Sequence, residues 1–244
     1  VVMALIYFVF MMAGAFGYRI PPAGWRPEGW TAPAAKSAMI TTRHVHLRDA
    51  HKTKQFWLIW AVLCLNVSAG IGVIGMASPM LQEIFAGSLI GLPGVGFADL
   101  DAGQKAQIAA IAAGFTGLLS LFNIGGRFFW ASMSDKIGRK NTYFCFFILG
   151  IILYALAPTL ATMGNKALFV LAFGIILSMY GGGCATIPAY LADIFGTQFV
   201  GAIHGRLLTA WAPAGIVGPV VVTYIREAQI AAGCDPDFHR RDMA

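Results

Sequence analysis

Long apolar runs alternate with short polar segments along most of the chain. The runs cover residues 1–17, 56–80, 107–131, 143–162, 167–192 and 200–225. A helix that crosses the hydrocarbon core of a bilayer needs about 20 predominantly apolar residues. The last five runs are therefore long enough to span a membrane, and the first is a partial span. The pattern predicts an all-α integral membrane protein with about six spans.

Composition and charge agree with a bilayer environment. The chain has 58% hydrophobic and 11% charged residues, whereas a soluble globular domain has about 25% charged residues. So few charged side chains cannot cover a water-exposed surface, and lipid must cover much of it. The net charge of +6 comes from basic residues in the loops between apolar runs. This distribution is typical of the positive-inside rule and does not indicate a nucleic-acid partner.

The polar segment 18–55 sets the predicted orientation in the membrane. It carries seven Lys and Arg residues against two acidic residues, so we expect it to be cytoplasmic in a multi-pass protein of the cell membrane. Alternation then places 132–142 and 193–199 inside. The same alternation places 81–106, 163–166 and the tail 226–244 outside.

Small residues recur at helical spacing on two of the runs. They lie between Ala110 and Ser120 on one run and between Gly174 and Gly183 on another. Faces of this kind allow helices to approach closely in lipid. We expect both faces to be helix contacts.

A polar loop with a specific order of residue types follows the run that ends near Trp130. Its members are Ala131, Asp135, Lys136, Gly138, Arg139 and Lys140. Their order and spacing resemble the cytoplasmic signature loop of the major facilitator superfamily, in which a glycine occupies the first position. Gly138 would supply the backbone freedom of a tight turn. The Asp135 carboxylate would lie at the N-terminus of a helix that begins near Gly201, with Arg206 nearby. The resemblance implies that this loop controls opening toward the cytoplasm.

Two further segments resemble the oxalate/formate antiporter family within that superfamily. They are the Pro- and Trp-rich loop at 21–30 and the sequence Asn-Ile-Gly-Gly-Arg at 123–127. The resemblance implies the C-terminal half of a twelve-helix carrier, with the first half and the last helix missing. In that alignment 1–17 is the end of the sixth helix, 18–55 the central loop, 56–225 helices seven to eleven, and 226–244 a truncated tail. The first residues, Val-Val-Met inside an apolar run, agree with a fragment that begins within a helix.

Arg127 is the strongest candidate for a binding residue. It lies eight residues before Asp135, which is about 12 Å along a helix and close to the midplane of a hydrocarbon core of about 30 Å. A charge at that depth is costly and usually marks a pathway or a partner, and no acid in the other runs lies at matching depth. A guanidinium can hold a carboxylate through two parallel hydrogen bonds, and the resembling family uses an arginine at this position for its substrate. Snorkelling to the interface or pairing with an acid in the absent half are the alternatives.

Weaker candidates surround this position. Asn66, Asn123, Tyr180 and Trp211 are polar or amphipathic residues within runs, and each could orient a small anion or only pack between helices. Members of the resembling family that carry oxalate also use a lysine in the eleventh helix. Residues 207–225 contain no lysine, and Trp211 lies near the aligned position. This departure favours a monocarboxylate such as formate, lactate or pyruvate over oxalate.

The sequence thus predicts a secondary active transporter of small organic anions that works by alternating access, as an antiporter or a symporter. Its expected partners are the small carboxylate, the lipid bilayer and the missing N-terminal half. A carrier of another substrate class, a membrane-embedded enzyme, a channel or a sensor are the alternatives. No nucleophile elbow, zinc-protease motif or phosphate-binding loop is present in the sequence. The four cysteines show no metal-binding spacing, so we expect no metal, no cofactor and no enzymatic activity.

Overall fold

The computed structural model describes residues 2–19, 22, 25–26, 28–29 and 39–231. The chain divides into two compact units, residues 1–37 and 38–244. The first unit contains helix α1 (Val2–Gly17), whose 16 apolar residues are fewer than the roughly 20 of a complete span. Half of the loop at 21–30 and residues 31–38 and 232–244 lie outside the described residues.

The second unit is built from helices. They are α2 (Leu47–Ala50), α3 (Lys54–Phe85), α4 (Ala102–Ile137), α5 (Arg139–Thr162), α6 (Lys166–Phe195), α7 (Val200–Leu207) and α8 (Trp211–Ala231). Within the described ranges no strand occurs. Five stretches are long and apolar enough to cross a membrane, with α7 and α8 forming one of them. The five full spans predicted between 56 and 225 are confirmed.

The predicted span at 200–225 is not one continuous helix. A 3-10 turn, Leu208–Ala210, separates α7 from α8. Pro213 lies in the first turn of α8, a position at which helices tolerate proline. Because proline has no N–H, Pro213 makes no helical hydrogen bond to the Thr209 carbonyl. The indole N–H of Trp60 on α3 donates to the Thr209 hydroxyl at 3.0 Å. Helix α8 also continues to Ala231, so the first residues of the predicted tail 226–244 are helical.

Helix α6 is the most buried of the spanning helices, and three consecutive glycines explain how its neighbours approach it. A Cβ at Gly181 would lie 2.2 Å from the Asn123 carbonyl oxygen of α4, and one at Gly183 would lie 2.5 Å from the side chain of Asn66 on α3. Gly182 is in similar contact with Trp130 of α4. The predicted small-residue face on this helix is therefore a helix contact.

The corresponding face on α4 behaves differently. A Cβ at Gly114 or Gly117 would meet nothing within 4 Å among the described residues. Gly126 instead makes the close approach, since a Cβ there would lie 2.2 Å from the Ser178 carbonyl oxygen of α6. The expectation that residues 110–120 form a helix contact is wrong at its glycines, because α4 turns a different face to α6.

Residues 39–53 lie along the ends of α6 and α7. The backbone N–H of Thr41 donates to the Asp193 carbonyl at 3.2 Å, and that of Val45 donates to the Phe195 carbonyl at 2.9 Å. In this segment a hydrogen bond from the Lys52 ammonium holds the pKa of the Asp49 carboxyl below its usual value. Residues 39–53 of the predicted 18–55 loop are thus packed against the helix bundle of the second unit.

Candidate functional site

Arg127 lies on α4, ten residues before the helix ends at Ile137, which is about 15 Å along the axis. Its side chain is exposed. It makes no hydrogen bond or ion pair with any residue that the structure describes. Gly126 and Trp130, which flank Arg127 on α4, contact Ser178 and Gly182 of the neighbouring helix α6. The arrangement leaves a guanidinium with free donors beside α6.

Tyr180 links Arg127 to the start of α8. The rings of Tyr180 and Trp211 lie with centroids 6.4 Å apart and planes at 54°. Trp211 is the first residue of α8 and is 37% exposed. Within the part of the chain that the structure describes, the Tyr180 hydroxyl has no hydrogen-bond partner. Tyr180 and Trp211 are therefore neighbours, and Tyr180 lies on the stretch of α6 that contacts α4 near Arg127.

The two asparagines of the candidate set lie against α6. The Asn66 side-chain nitrogen donates to the Tyr180 carbonyl at 3.5 Å. The Asn123 side-chain oxygen is buried without a hydrogen-bond partner among the described residues, and it faces Gly181. A cavity of about 40 Å³ borders Asn123, lined also by Thr116 and Ser120. Asn123 thus takes part in the contact between α4 and α6, next to a small cavity that Ile74, Leu119 and Leu177 also line.

The signature loop is a tight connection between α4 and α5. Gly138 joins the two helices with a φ of 87°, a left-handed conformation that favours glycine. The Arg139 guanidinium then contacts Ser134 and Asp135 of α4. Its Nε lies 3.5 Å from a carboxylate oxygen of Asp193 at the end of α6. Arg139 therefore connects the ends of α4, α5 and α6.

The expected position of Asp135 is wrong. Its carboxylate pairs with Arg139, four residues later, and its side chain is 62% exposed. Arg206 lies elsewhere, with its guanidinium 3.4 Å from the Leu47 carbonyl and 3.1 Å from the His51 ring. The turn at Gly138 brings Arg139 within reach of Asp135 first, so the helix beginning at Val200 is not its partner.

Asp193 was not among the residues singled out from the sequence. It is only 14% exposed and pairs with Arg139, which is 10% exposed. The sequence does contain a signal for Asp193, because it is an acidic residue at the end of an apolar run and a basic loop is available to pair with it. Of the other loop residues, Ala131 is half-buried, Lys136 is exposed, and the Lys140 ammonium lies 5.8 Å from the Phe144 ring centre.

A metal centre has no obvious location in the described ranges. No group of three or more His, Cys, Asp or Glu residues is placed there to hold a metal ion. Cys64, Cys145 and Cys184 are free thiols.

The five long apolar helices define a multi-pass α-helical membrane protein. The family model of the Major Facilitator Superfamily matches residues 1–219, and the chain belongs to that family. Family membership indicates a transporter rather than an enzyme. The resemblance recognised in the signature loop is confirmed.

Two relatives make the comparison more specific. The chain is 29% identical over 185 residues to the oxalate:formate antiporter of Oxalobacter formigenes, covering 76% of this chain and 39% of that protein. It is 20% identical over 166 residues to the uncharacterized MFS-type transporter YhjX of Escherichia coli strain K12, covering 68% of this chain and 36% of the relative. The chain therefore spans well under half the length of both relatives.

Proposed function

We propose that this chain forms one side of the substrate pathway of a secondary active transporter for small organic anions. The observation that carries the proposal is the guanidinium of Arg127, which lies deep along α4 and has no partner among the described residues. Alternating access would expose this site first to one side of the cell membrane and then to the other. The N-terminal half of the same carrier would supply the opposite wall.

The energetics of Arg127 favour an anionic ligand. An arginine near the centre of a spanning helix costs about 2.5–3.5 kcal/mol on insertion scales. A carboxylate that accepts two parallel hydrogen bonds from the guanidinium offsets that cost and fixes its own orientation. The Tyr180 hydroxyl has no partner in the described residues, and Tyr180 lies on the stretch of α6 that contacts α4 around Arg127. We assign it as a further donor to the same carboxylate.

The surroundings of Arg127 favour a substrate with one carboxylate. The neighbouring ring pair of Tyr180 and Trp211 offers apolar contact to the organic end of the substrate. A second carboxylate would enter this region without a cation, which is costly in a site shielded from water. A relative is named for both oxalate and formate exchange. Formate, lactate and pyruvate fit this half of the site better than oxalate.

The signature loop would control opening toward the cytoplasm. Arg139 holds the ends of three helices together through Asp135 and Asp193, so separation of those ends requires these contacts to break. In this orientation the 18–55 loop is cytoplasmic, and it joins the two halves of the carrier. Its residues 39–53 already pack on the ends of α6 and α7.

Counterflow in proteoliposomes tests the proposed function. Vesicles containing the full-length protein are loaded with formate, lactate, pyruvate or oxalate, and uptake of the same labelled anion is measured. Glycerol and choline serve as neutral and cationic controls of similar size. We expect internal monocarboxylate to stimulate uptake, with oxalate weaker. Uptake unaffected by the internal anion would indicate a channel or a sensor, and preferred uptake of either control solute would indicate a carrier of another class.

A further inference from the structure

We infer that Gly70 of α3 is a positioning residue that holds the Tyr180 hydroxyl beside Arg127. The inference rests on the proposed function, because it concerns how the same site presents a second donor to the carboxylate. A Cβ at Gly70 would lie 2.2 Å from Cδ2, 2.4 Å from Cγ and 2.8 Å from Cε2 of Tyr180. Folded proteins do not tolerate contacts this short. The ring therefore lies in a notch that only a glycine leaves open.

The contact is at the base of the ring, which makes it hard to relieve. Cγ and Cδ2 lie next to the main chain, so a bend at the tip of the side chain cannot separate them from a new methyl group. Tyr180 is also only 7% exposed. Either its χ angles or the spacing of α3 and α6 must change, and both changes move the hydroxyl.

Contacts on both sides of Tyr180 hold the main chain of α6. We therefore expect an added methyl group at position 70 to move the Tyr180 ring and not the helix. Asn66 donates to the Tyr180 carbonyl and lies against Gly183. On the opposite side Gly181 is in contact with Asn123 of α4. Because the backbone is fixed by these contacts, a methyl group at position 70 displaces the phenol ring from its place against Trp211.

Gly70→Ala in the full-length protein tests this inference. We expect KM for formate and lactate to rise about tenfold, the loss expected for one hydrogen bond to a charged group, with kcat changed much less. The displaced ring should also lower thermal stability, because overpacking of a helix contact is destabilising. Gly75→Ala is the matched control in the same helix, since a Cβ there meets nothing within 4 Å. It should leave KM unchanged.

Two variants of Tyr180, each combined with Gly70→Ala, distinguish an effect on the position of the hydroxyl from an effect on helix packing. Tyr180→Phe removes the hydroxyl, so it should raise KM as Gly70→Ala does, and the double variant should be no worse than either single one. Tyr180→Ala removes the ring, so adding Gly70→Ala to it should have no further effect. Additive increases in KM in both backgrounds would overturn the inference.

Different experimental results would contradict this inference and the proposed function. If wild-type transport depends on Arg127 but Gly70→Ala keeps the wild-type KM, the site stands and the positioning role is wrong. If no monocarboxylate is transported, a structure of the Gly70→Ala variant decides the matter. The Tyr180 ring is expected in a new position, and an unmoved ring would overturn the inference.

Discussion

Among single residues, the charges of the signature loop differ in how far they are removed from water. Asp135 is 62% exposed, whereas Asp193 is 14% exposed and Arg139 is 10% exposed. Exposed ion pairs contribute little because water screens them. Removal of one partner from a buried pair leaves the other charge poorly solvated. Asp193 therefore matters more to Arg139 than the acid next to it in the loop.

Substitution of the two acids tests this difference. We expect Asp193→Asn to lower the stability of the full-length protein by about 3 kcal/mol, at the low end for a broken buried pair because Arg139 keeps Asp135. The matched change Asp135→Asn should cost no more than about 1 kcal/mol. Thermal unfolding of the purified protein in detergent measures both. Equal shifts, or a larger shift for Asp135→Asn, would contradict the geometry.

The sequence predicted some of these residues better than others. The placement of Arg127 and Asp135 on one helix was predictable, because the spacing of residues within a helix is local and α4 contains both. The partner of Arg139 was not predictable in the same way. Asp193 lies 54 residues further along the chain, and only the packing of α6 on α4 and α5 brings it to the loop.

Among the helices, the contact between α4 and α6 depends on close approach at single glycines. Gly126 faces the Ser178 carbonyl so closely that a Cβ would lie 2.2 Å from its oxygen, whereas a Cβ on the adjacent Gly125 would meet nothing within 4 Å. Two consecutive residues of the same type thus have different roles. One is at the helix contact and the other is outside it.

Alanine at these two positions provides a matched pair of variants. Gly126→Ala should destabilise the protein by about 1–3 kcal/mol, because the added methyl group forces α4 and α6 apart. Gly125→Ala should be neutral or slightly stabilising, since alanine favours helix. Thermal unfolding and the yield of folded protein compare them. A similar loss in both variants would show that the helices do not approach at Gly126.

Helical periodicity predicted the existence of these elements but not their orientation. The five spans were predictable because a run of about 20 apolar residues has few other stable structures. The small residues at 110–120 and at 174–183 looked equivalent in the sequence, yet only the second set lies at a helix contact. The break at 208–210 was also missed, because Pro213 is compatible with both a continuous helix and a new first turn.

For the whole molecule, the orientation in the membrane follows from charge rather than from packing. Residues 39–53 of the basic 18–55 loop lie at the ends of α6 and α7, near Asp193. The connection that contains Asp99 precedes α4, one membrane crossing away. By the positive-inside rule we expect the first side to be cytoplasmic and the second to be external.

Labelling of single cysteines tests this orientation. In a cysteine-free background, we expect Asp99→Cys to react with a membrane-impermeant maleimide in intact cells. Lys52→Cys should react only after the membrane is permeabilised. Both positions are exposed, so access to the reagent decides the result. The reverse pattern would invert the proposed topology and place the signature loop outside.

The central claim is that Arg127 binds the carboxylate of a small organic anion, and transport by Arg127 variants tests it most directly. Counterflow of formate and lactate is compared in the full-length protein for wild type, Arg127→Gln, Arg127→Lys and the control Lys105→Gln, which removes a half-buried charge near the start of the same helix. Loss of two charged hydrogen bonds predicts at least a hundredfold lower kcat/KM in Arg127→Gln, roughly 3 kcal/mol. Partial recovery is expected in Arg127→Lys, because an ammonium keeps the charge but not the two parallel bonds, and no change is expected in the control. Normal transport by both Arg127 variants, inserted at wild-type levels, would contradict the account.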